Sequence, residues 1–345
     1  MIPVSAPATN PQNWQRELAE GFRHPAQLLR HLELPVGTLT CDAAHAQFPL
    51  RVPRHFADLM EKGNPQDPLL RQVLPTGREL ISPPGFGPDP TGDQAAHAGF
   101  GLLKKYRGRA LVVATASCAV HCRYCFRRHY PYGEASATQW QGLLEALAAD
   151  DTLTEVILSG GDPLMLATPK LADLLEALTQ IPTLRRLRLH SRLPVVLPSR
   201  LDDHLVTLLT NLPLPTTLVL HVNHPAELSE PLARALAPLR RGGVTLLNQS
   251  VLLRGVNDRL QTQQTLCEKL FDHGILPYYL HQLDKVSGAA HFQVPDDQAI
   301  ALHEEMRARL PGYLLPRLVH EIPGRPSKSP LGWRSNFGEP SDLVK

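Results

Sequence analysis

From Ala110 onward the chain alternates short β-prone runs with amphipathic stretches, and that alternation limits the fold more than any other feature. The runs are "ALVVAT", "TEVILSG", "LRRLRLHS", "TTLVLHV", "VTLLNQS" and "ILPYYLHQ". Between and after them stand "ATQWQGLLEALAAD", "TPKLADLLEALTQ", "SRLDDHLVTLLTNL", "ELSEPLARALAPLRRGG", "DRLQTQQTLCEKLFDHG" and "PDDQAIALHEEMRARL", all helical in pattern. Repetition of strand and helix implies parallel βα units in one sheet. In such folds chemistry sits at the C-terminal ends of the strands. Here the runs end in "SGGD", "HSR", "HVNH", "NQS" and "HQLD", which are polar or glycine groups. The pattern predicts an α/β fold, a barrel or partial barrel whose strand ends line one pocket.

Residues 1–103 lack this rhythm. "NWQRELAEGF" and "PAQLLRHLEL" have the spacing of short amphipathic helices, while "NPQDPLLRQVLP" and "ISPPGFGPDPTG" read as irregular wrapping segments. The expected organisation is a mainly helical N-terminal extension over 1–103, a barrel over 104–330 and a tail over 331–345. Hydrophobic residues make up 43% of the chain, enough for a full core, and the net charge of +2 gives no field that argues for nucleic acid. No apolar run approaches the length of a membrane span. The N-terminal "MIPVSAPATNPQNWQRELAEGF" has neither the positive nor the apolar segment of a secretory signal. Five cysteines, an odd number and mostly clustered, do not suit a secreted disulfide framework. In a reducing compartment they read as metal ligands, and the cytoplasm is the expected location.

Three of the five, Cys118, Cys122 and Cys125, stand in "TASCAVHCRYCFRRHYPY". A structural zinc ion takes four ligands, and His121 or His129 can complete a Cys3His set. A [4Fe–4S] cluster has four irons, usually each with a cysteine, so three cysteines leave one iron open to another ligand. Spacing alone allows both readings. Cys41 and Cys267 lie outside the group and receive no role.

The spacing Cys-x3-Cys-x2-Cys just after a first β-strand resembles the radical S-adenosylmethionine superfamily. The fuller "CAVHCRYCFRRHYPY" is similar to its lysine 2,3-aminomutase family, and most closely to the short members that make (R)-β-lysine for modification of elongation factor P. The likeness runs from "RVPRHFADLMEKGNPQDPLLRQVLP" to "PGRPSKSPL". The longer aminomutases carry a C-terminal extension with further cysteines; this sequence shows none, which with the Phe of "RYCFRRH" leans toward the elongation-factor branch.

The resemblance implies a partial (β/α)6 TIM-like barrel and three cofactors: a [4Fe–4S] cluster, S-adenosylmethionine and pyridoxal phosphate (PLP). It assigns the cluster to Cys118, Cys122 and Cys125, and the PLP Schiff base to Lys328 in "HEIPGRPSKSP", where the glycine-rich segment of the family is poorer in glycine. Arg109 and Tyr106 match PLP contacts. Ser159, Gly160, Gly161 and Asp162 of "LSGGDPL" match the place that meets the methionyl amine, with Arg192, His224 and Gln249 as further pocket candidates. Arg127 matches the arginine that binds the substrate carboxylate. Asp284 and Glu321 match the acidic pair that holds the ε-ammonium, with Glu where the family has Asp. Two anions there suit a cationic substrate and not glutamate. The implied reaction moves the amino group of lysine from C2 to C3. The implied partners are a reducing electron donor such as flavodoxin or ferredoxin, and the lysyl-transfer enzyme that receives the product. A lysine aminomutase releasing free β-lysine is the nearest alternative; a non-catalytic zinc-binding protein is the alternative from another class.

Overall fold

The strand-forming runs pair in the order in which they occur. The computed structural model describes residues 13–37, 39–134 and 140–332. Among these, nine strands form one sheet in the order β1 to β9. The six β-prone runs are β2 (Arg109–Thr115), β3 (Glu155–Gly160), β4 (Arg186–Ser191), β5 (Thr216–Leu220), β6 (Thr245–Val251) and β7 (Leu276–His281). They lie parallel, each beside the next, and β8 (Arg317–His320) extends the parallel run beyond them. Two short antiparallel strands close the edges: β1 (Leu102–Tyr106) on β2, and β9 (Ser329–Pro330) on β8. No pairing joins β1 to β9 among the described residues, so the barrel is partial.

Five short helices precede the sheet: α1 (Asn13–Ala19), α2 (Pro25–His31), α3 (Asp42–Gln47), α4 (Arg54–Asp58) and α5 (Pro68–Arg71). The crossovers use α6 (Trp140–Ala148), α7 (Thr168–Thr179), α8 (Leu193–Val196), α9 (Asp203–Thr210), α10 (Glu230–Arg241), α11 (Leu260–Asp272) and α12 (Asp296–Arg309). Each takes its place from an apolar stripe. On α7, Leu171, Leu174, Leu175 and Leu178 recur at steps of three and four and are all buried. Asp202 and Ser229 cap α9 and α10 by accepting from Leu205 N–H and Leu232 N–H, groups that a helix start leaves unbonded.

One continuous apolar core joins the N-terminal helices to the barrel. Trp14, Leu28, Phe56 and Leu69 belong to the same buried cluster as Val112, Leu158, Leu189 and Leu246. Burial of each such side chain is worth roughly 1.5–3 kcal/mol. A smaller cluster under α12 contains Cys267, whose thiol is pushed up to about 12 by burial and is inert. The expected tail lies outside the described residues apart from Leu331 and Gly332. No helix among the described residues is long and apolar enough to cross a membrane.

Candidate active site

β2 ends at Thr115, and the cysteine loop begins there. Thr115 O accepts from Gly161 N–H at 2.7 Å, and Ser117 O accepts from Asp162 N–H at 2.8 Å, which ties the loop to the end of β3. The approach needs glycine. Gly160 has φ +106°, in the left-handed region, and a Cβ on Gly161 would drive into the backbone of Thr115, Ala116 and Ser117. Tyr132 Oη donates to Gly160 O at 3.0 Å. The Gly161 and Asp162 N–H groups are thereby bonded within the protein, and a ligand ammonium, itself a donor, has no need of them.

The three thiols of the loop are free and partly accessible. Cys118 is pushed well up by burial and then by Cys125, Asp162 and Cys122; Cys125 is pushed up to about 11 by burial and Cys122. Groups that raise one another in this way are neighbours, and they ionise together only against a strongly positive centre. Yet among the described residues no three His, Cys, Asp or Glu side chains are close enough to share one metal ion. One ring nitrogen of each histidine in the zinc alternative lies against a backbone carbonyl: His121 Nδ1 is 2.7 Å from Pro49 O, and His129 Nε2 is 3.3 Å from Ser287 O. A cluster in which each thiolate bonds its own iron suits thiols that are not close enough to share one ion.

Behind the loop stands a dense lattice of buried polar groups bonded to one another, with Arg192 Nε left without a partner. Arg192 donates to Cys122 Sγ at 2.7 Å, to Tyr124 Oη at 2.5 Å, to Gln72 Oε1 at 2.7 Å and to Glu227 Oε2 at 3.0 Å. Asn223 Nδ2 joins it through Gln72 Oε1 and Tyr124 Oη. Asp162 accepts from Ser191 Oγ and from the N–H groups of Leu164, Arg192 and Leu193. Arg192 and Asp162 thus brace the lattice, with Arg192 Nε left over, and His224 Nδ1 accepts from Ala226 N–H at 3.2 Å and caps the turn that follows.

A chain of charges runs from the loop to the end of the sheet. Arg127 Nε donates to Asp93 Oδ2 at 2.6 Å, and Arg127 Nη1 to Ser159 Oγ at 3.2 Å. Lys105 Nζ meets Asp93 Oδ1 at 2.5 Å and Glu321 Oε1 at 3.7 Å. Glu321 Oε1 accepts from Tyr106 Oη at 2.6 Å, and Lys328 Nζ donates to Glu321 Oε2 at 2.8 Å. Burial works against charge on Asp93, but Arg127 and Lys105 hold its carboxyl down to about 2. Glu321 is likewise held low against its burial, by Lys328, Tyr106 and Lys105. A cavity of about 300 Å³ opens beside Lys105, Tyr106 and Glu321, bounded by Pro323 and Arg325. Arg109 lies with its guanidinium 4.9 Å from the Tyr106 ring centre, and its Nε is buried without a partner.

The ends of β4 to β7 bring in buried groups, of which His221 reaches the lattice with Nε2 2.9 Å from Tyr124 Oη, whereas His190 is poorly paired. Gln249 Nε2 stands 3.4 Å from His190 Nδ1, and His190 Nε2 has no partner. His221 is pushed down to about 3 by burial and Arg192; His281 is pushed well down by burial and Lys328. Asp284, just past β7, has its carboxyl raised to about 7, first by burial and then through a balance in which Lys328 pulls down and Glu321 pushes up. The sequence reading named Arg127, Asp284, Glu321 and Lys328, and the structure brings Glu321 and Lys328 into contact. It missed Asp93 and Lys105, which link Arg127 to Glu321; the only signal was acid and base near the chain's wrapping segment and first strand.

Residues 106–185 match the family model described as a 4Fe-4S single cluster domain. The chain is 50% identical over 324 residues to the L-lysine 2,3-aminomutase of Escherichia coli (strain K12), covering 93% of this chain and 94% of that one. The L-lysine 2,3-aminomutase of Haemophilus influenzae is 46% identical, over 95% of this chain and 98% of its own. That of Clostridium subterminale is 33% identical over 80% of this chain and 67% of its own. With three thiols poised for a multinuclear cluster and relatives of this identity along nearly its whole length, the chain belongs to the lysine 2,3-aminomutase family of radical S-adenosylmethionine enzymes.

Proposed function

We propose that the protein is an isomerase that converts L-α-lysine to (R)-β-lysine with a [4Fe–4S] cluster, S-adenosylmethionine and PLP. One observation carries the reading: the charge chain from Arg127 through Asp93, Lys105 and Glu321 to Lys328. It joins a fixed guanidinium at one end to a carboxylate on a reactive amine at the other, as a substrate with a carboxylate and a distant ammonium requires.

The donor set fits each group. Cys118, Cys122 and Cys125 hold the cluster, with Arg192 against the Cys122 sulfur to offset thiolate charge. Lys328 is the amine for PLP, and the unpartnered Arg109 Nε beside Tyr106 suits an anionic cofactor group. When bound, the cluster supplies the electron that splits S-adenosylmethionine into methionine and a carbon radical, and PLP carries the migrating nitrogen.

The protein's own residues position the substrate. Arg127 is fixed by Asp93 and Ser159, so its fork is oriented before a carboxylate arrives. Glu321 already holds an ammonium, that of Lys328, and the same carboxylate suits the ε-ammonium of lysine. Asp284 is the second anion; its buried carboxyl is neutral or charged near neutral pH, and a cation selects the charged form. At the ends of β4, β5 and β7, burial keeps His190, His221 and His281 neutral, so these rings add no competing charge.

Protein purified and reconstituted without air should show iron–sulfur and PLP absorbance together, and should turn lysine but not glutamate into its β-isomer. A zinc-loaded, colourless protein would overturn the reading. We further propose cytoplasmic supply of β-lysine to an elongation factor P lysyl-transfer enzyme, with flavodoxin or ferredoxin as reductant; the support is the likeness of "CAVHCRYCFRRHYPY" to that branch. Loss of the gene should remove the β-lysyl mass from elongation factor P, whereas unchanged modification would leave free β-lysine as the product's fate.

A further inference from the structure

His190 sits at the end of β4, on the face that looks into the barrel. Along this strand Leu187 and Leu189 pack into the outer core, and the alternate residues Arg188 and His190 point the other way. Arg188, one turn of the pleat below, is bonded to Glu155 Oε1 at 2.6 Å. His190 has no such neighbour. Its Nε2 is buried without a hydrogen-bond partner, although a buried polar atom left unbonded costs about 1–3 kcal/mol. On its other side Gln249 Nε2 lies 3.4 Å from Nδ1. With the Gln249 amide nitrogen as donor, Nδ1 is the acceptor, and the one proton of a neutral imidazole resides on Nε2.

The surroundings say what that N–H can meet. The charged and titratable groups that act on His190 are Arg188 on its own strand, Lys328 beyond β8, Arg127 on the cysteine loop and His281 on β7. All of them disfavour a positive ring, and burial does so more strongly still. A neutral N–H donor among cations is a place for an anion.

We propose that His190 Nε2–H binds an oxyanion of the ligand assembled at Lys328, and that Gln249 is the positioning residue that holds the imidazole in the donating tautomer. This rests on the aminomutase reading, since it is PLP on Lys328, or lysine beside it, that brings the oxyanion. Two sources share the chemistry: an oxygen of PLP, or the carboxylate of the substrate. Gln249, expected from the sequence to touch a cofactor, acts through His190 in this account.

The test is a pair of titrations on full-length protein with its cluster reconstituted. PLP is added to wild type, His190→Ala, His190→Gln and Gln249→Leu, and binding is read from cofactor absorbance and from the borohydride-fixed mass on Lys328. Lysine is then added to the PLP-loaded proteins and binding is read from the same absorbance. The expected result is an affinity about tenfold weaker in His190→Ala for one of the two ligands, the scale of one lost buried hydrogen bond. Loss in the first titration identifies PLP as the source; loss only in the second identifies the substrate carboxylate. His190→Gln keeps an amide donor and should recover most of the affinity. Gln249→Leu should give a smaller loss of the same ligand. Iron content and thermal melting show that each variant is folded; if His190→Ala fails to fold, His190→Gln and Gln249→Leu decide. Unchanged affinity for both ligands in every folded variant overturns the proposal. Failure of the wild type to bind PLP overturns the aminomutase reading instead, so the two failures are told apart.

Discussion

The two sides of the cysteine loop are both rich in buried polar groups, and they are finished differently. Behind the loop, Gln72, Tyr124, Arg192, Asn223 and Glu227 bond to one another through short contacts. In front, toward β7 and β8, His190 Nε2 and Arg109 Nε have no partner and Asp284 is half neutral near pH 7. A network bonded at nearly every atom fixes a shape, with Arg192 Nε left over behind the loop; a sparsely bonded one is waiting for the atoms that complete it. The contrast separates support from site without reference to any relative, and by its bonding Arg192 braces the first group.

The sharpest separation comes from single changes on the two sides. In front, Lys328→Ala should reduce β-lysine formation by about 10⁴-fold or more, because the amine that holds the cofactor is gone. Iron content and melting temperature should stay at wild-type values, since Lys328 is partly exposed and held by its bond to Glu321. Product assay with iron analysis checks this; activity near wild type in Lys328→Ala would remove the residue from its role. Behind the loop, Glu227→Ala should act on folding instead. It strips Arg192 of its buried counter-charge in a place where both side chains are nearly inaccessible, 7% and 0% exposed. Breaking a buried pair by removing one partner costs about 3–5 kcal/mol. Denaturant melts of the protein before reconstitution should show that loss with no ligand present. If Glu227→Ala melts like wild type, the lattice is not the support described here.

The sequence showed one half of this contrast better than the other. Strands β2, β3 and β5 were legible as runs of apolar residues closed by a polar end, the signature of a strand covered on both faces, and β4 and β6 by their alternation of buried and less buried residues. Strands β1, β8 and β9 were not, because "LLKKY" reads as a basic turn and the last two are only four and two residues long. Cys118, Cys122 and Cys125 announced themselves by spacing. Lys328 and Glu321 were found seven residues apart through resemblance, and they do touch. Asp93 was hidden: it stands in a proline and glycine segment without period, and its meaning comes from Arg127, 34 residues away. Glu227 lies 155 residues from Gln72 and was hidden for the same reason. Local pattern reveals elements and tight loops, whereas a lattice built from distant turns exists only after folding.

The next test stays on the sparsely bonded side. Asp284→Asn removes one of two carboxylates available to the substrate ammonium and keeps the shape. Loss of a charge-assisted hydrogen bond should raise KM for lysine by roughly ten- to a hundredfold. The melting temperature should be unchanged or higher, because burial already opposes the charge on Asp284. A fall in stability like that expected for Glu227→Ala would place Asp284 with the support, and the division drawn between the two sides would fail there.

The smallest effect is the most specific to the contrast, because it needs no mutation. The Asp284 carboxyl is raised to about 7 by burial, whereas Glu321 is held below its usual range by Lys328, Tyr106 and Lys105. Between pH 6 and pH 8, therefore, Glu321 stays charged and only Asp284 changes state. Below about 7 the Asp284 proton is retained, and a neutral carboxyl attracts an ammonium poorly; above it the anion is present before the substrate arrives. Lysine affinity should accordingly rise with pH, by roughly five- to tenfold from pH 6 to pH 8, and level off above. The same profile in Asp284→Asn should be flat over that window, since its remaining carboxylate is already ionised. Binding of lysine to PLP-loaded protein, titrated at several pH values in both proteins, measures the difference. A wild-type profile that is flat, or that falls as pH rises, would mean that Asp284 is already charged at pH 6 or is not facing the ammonium.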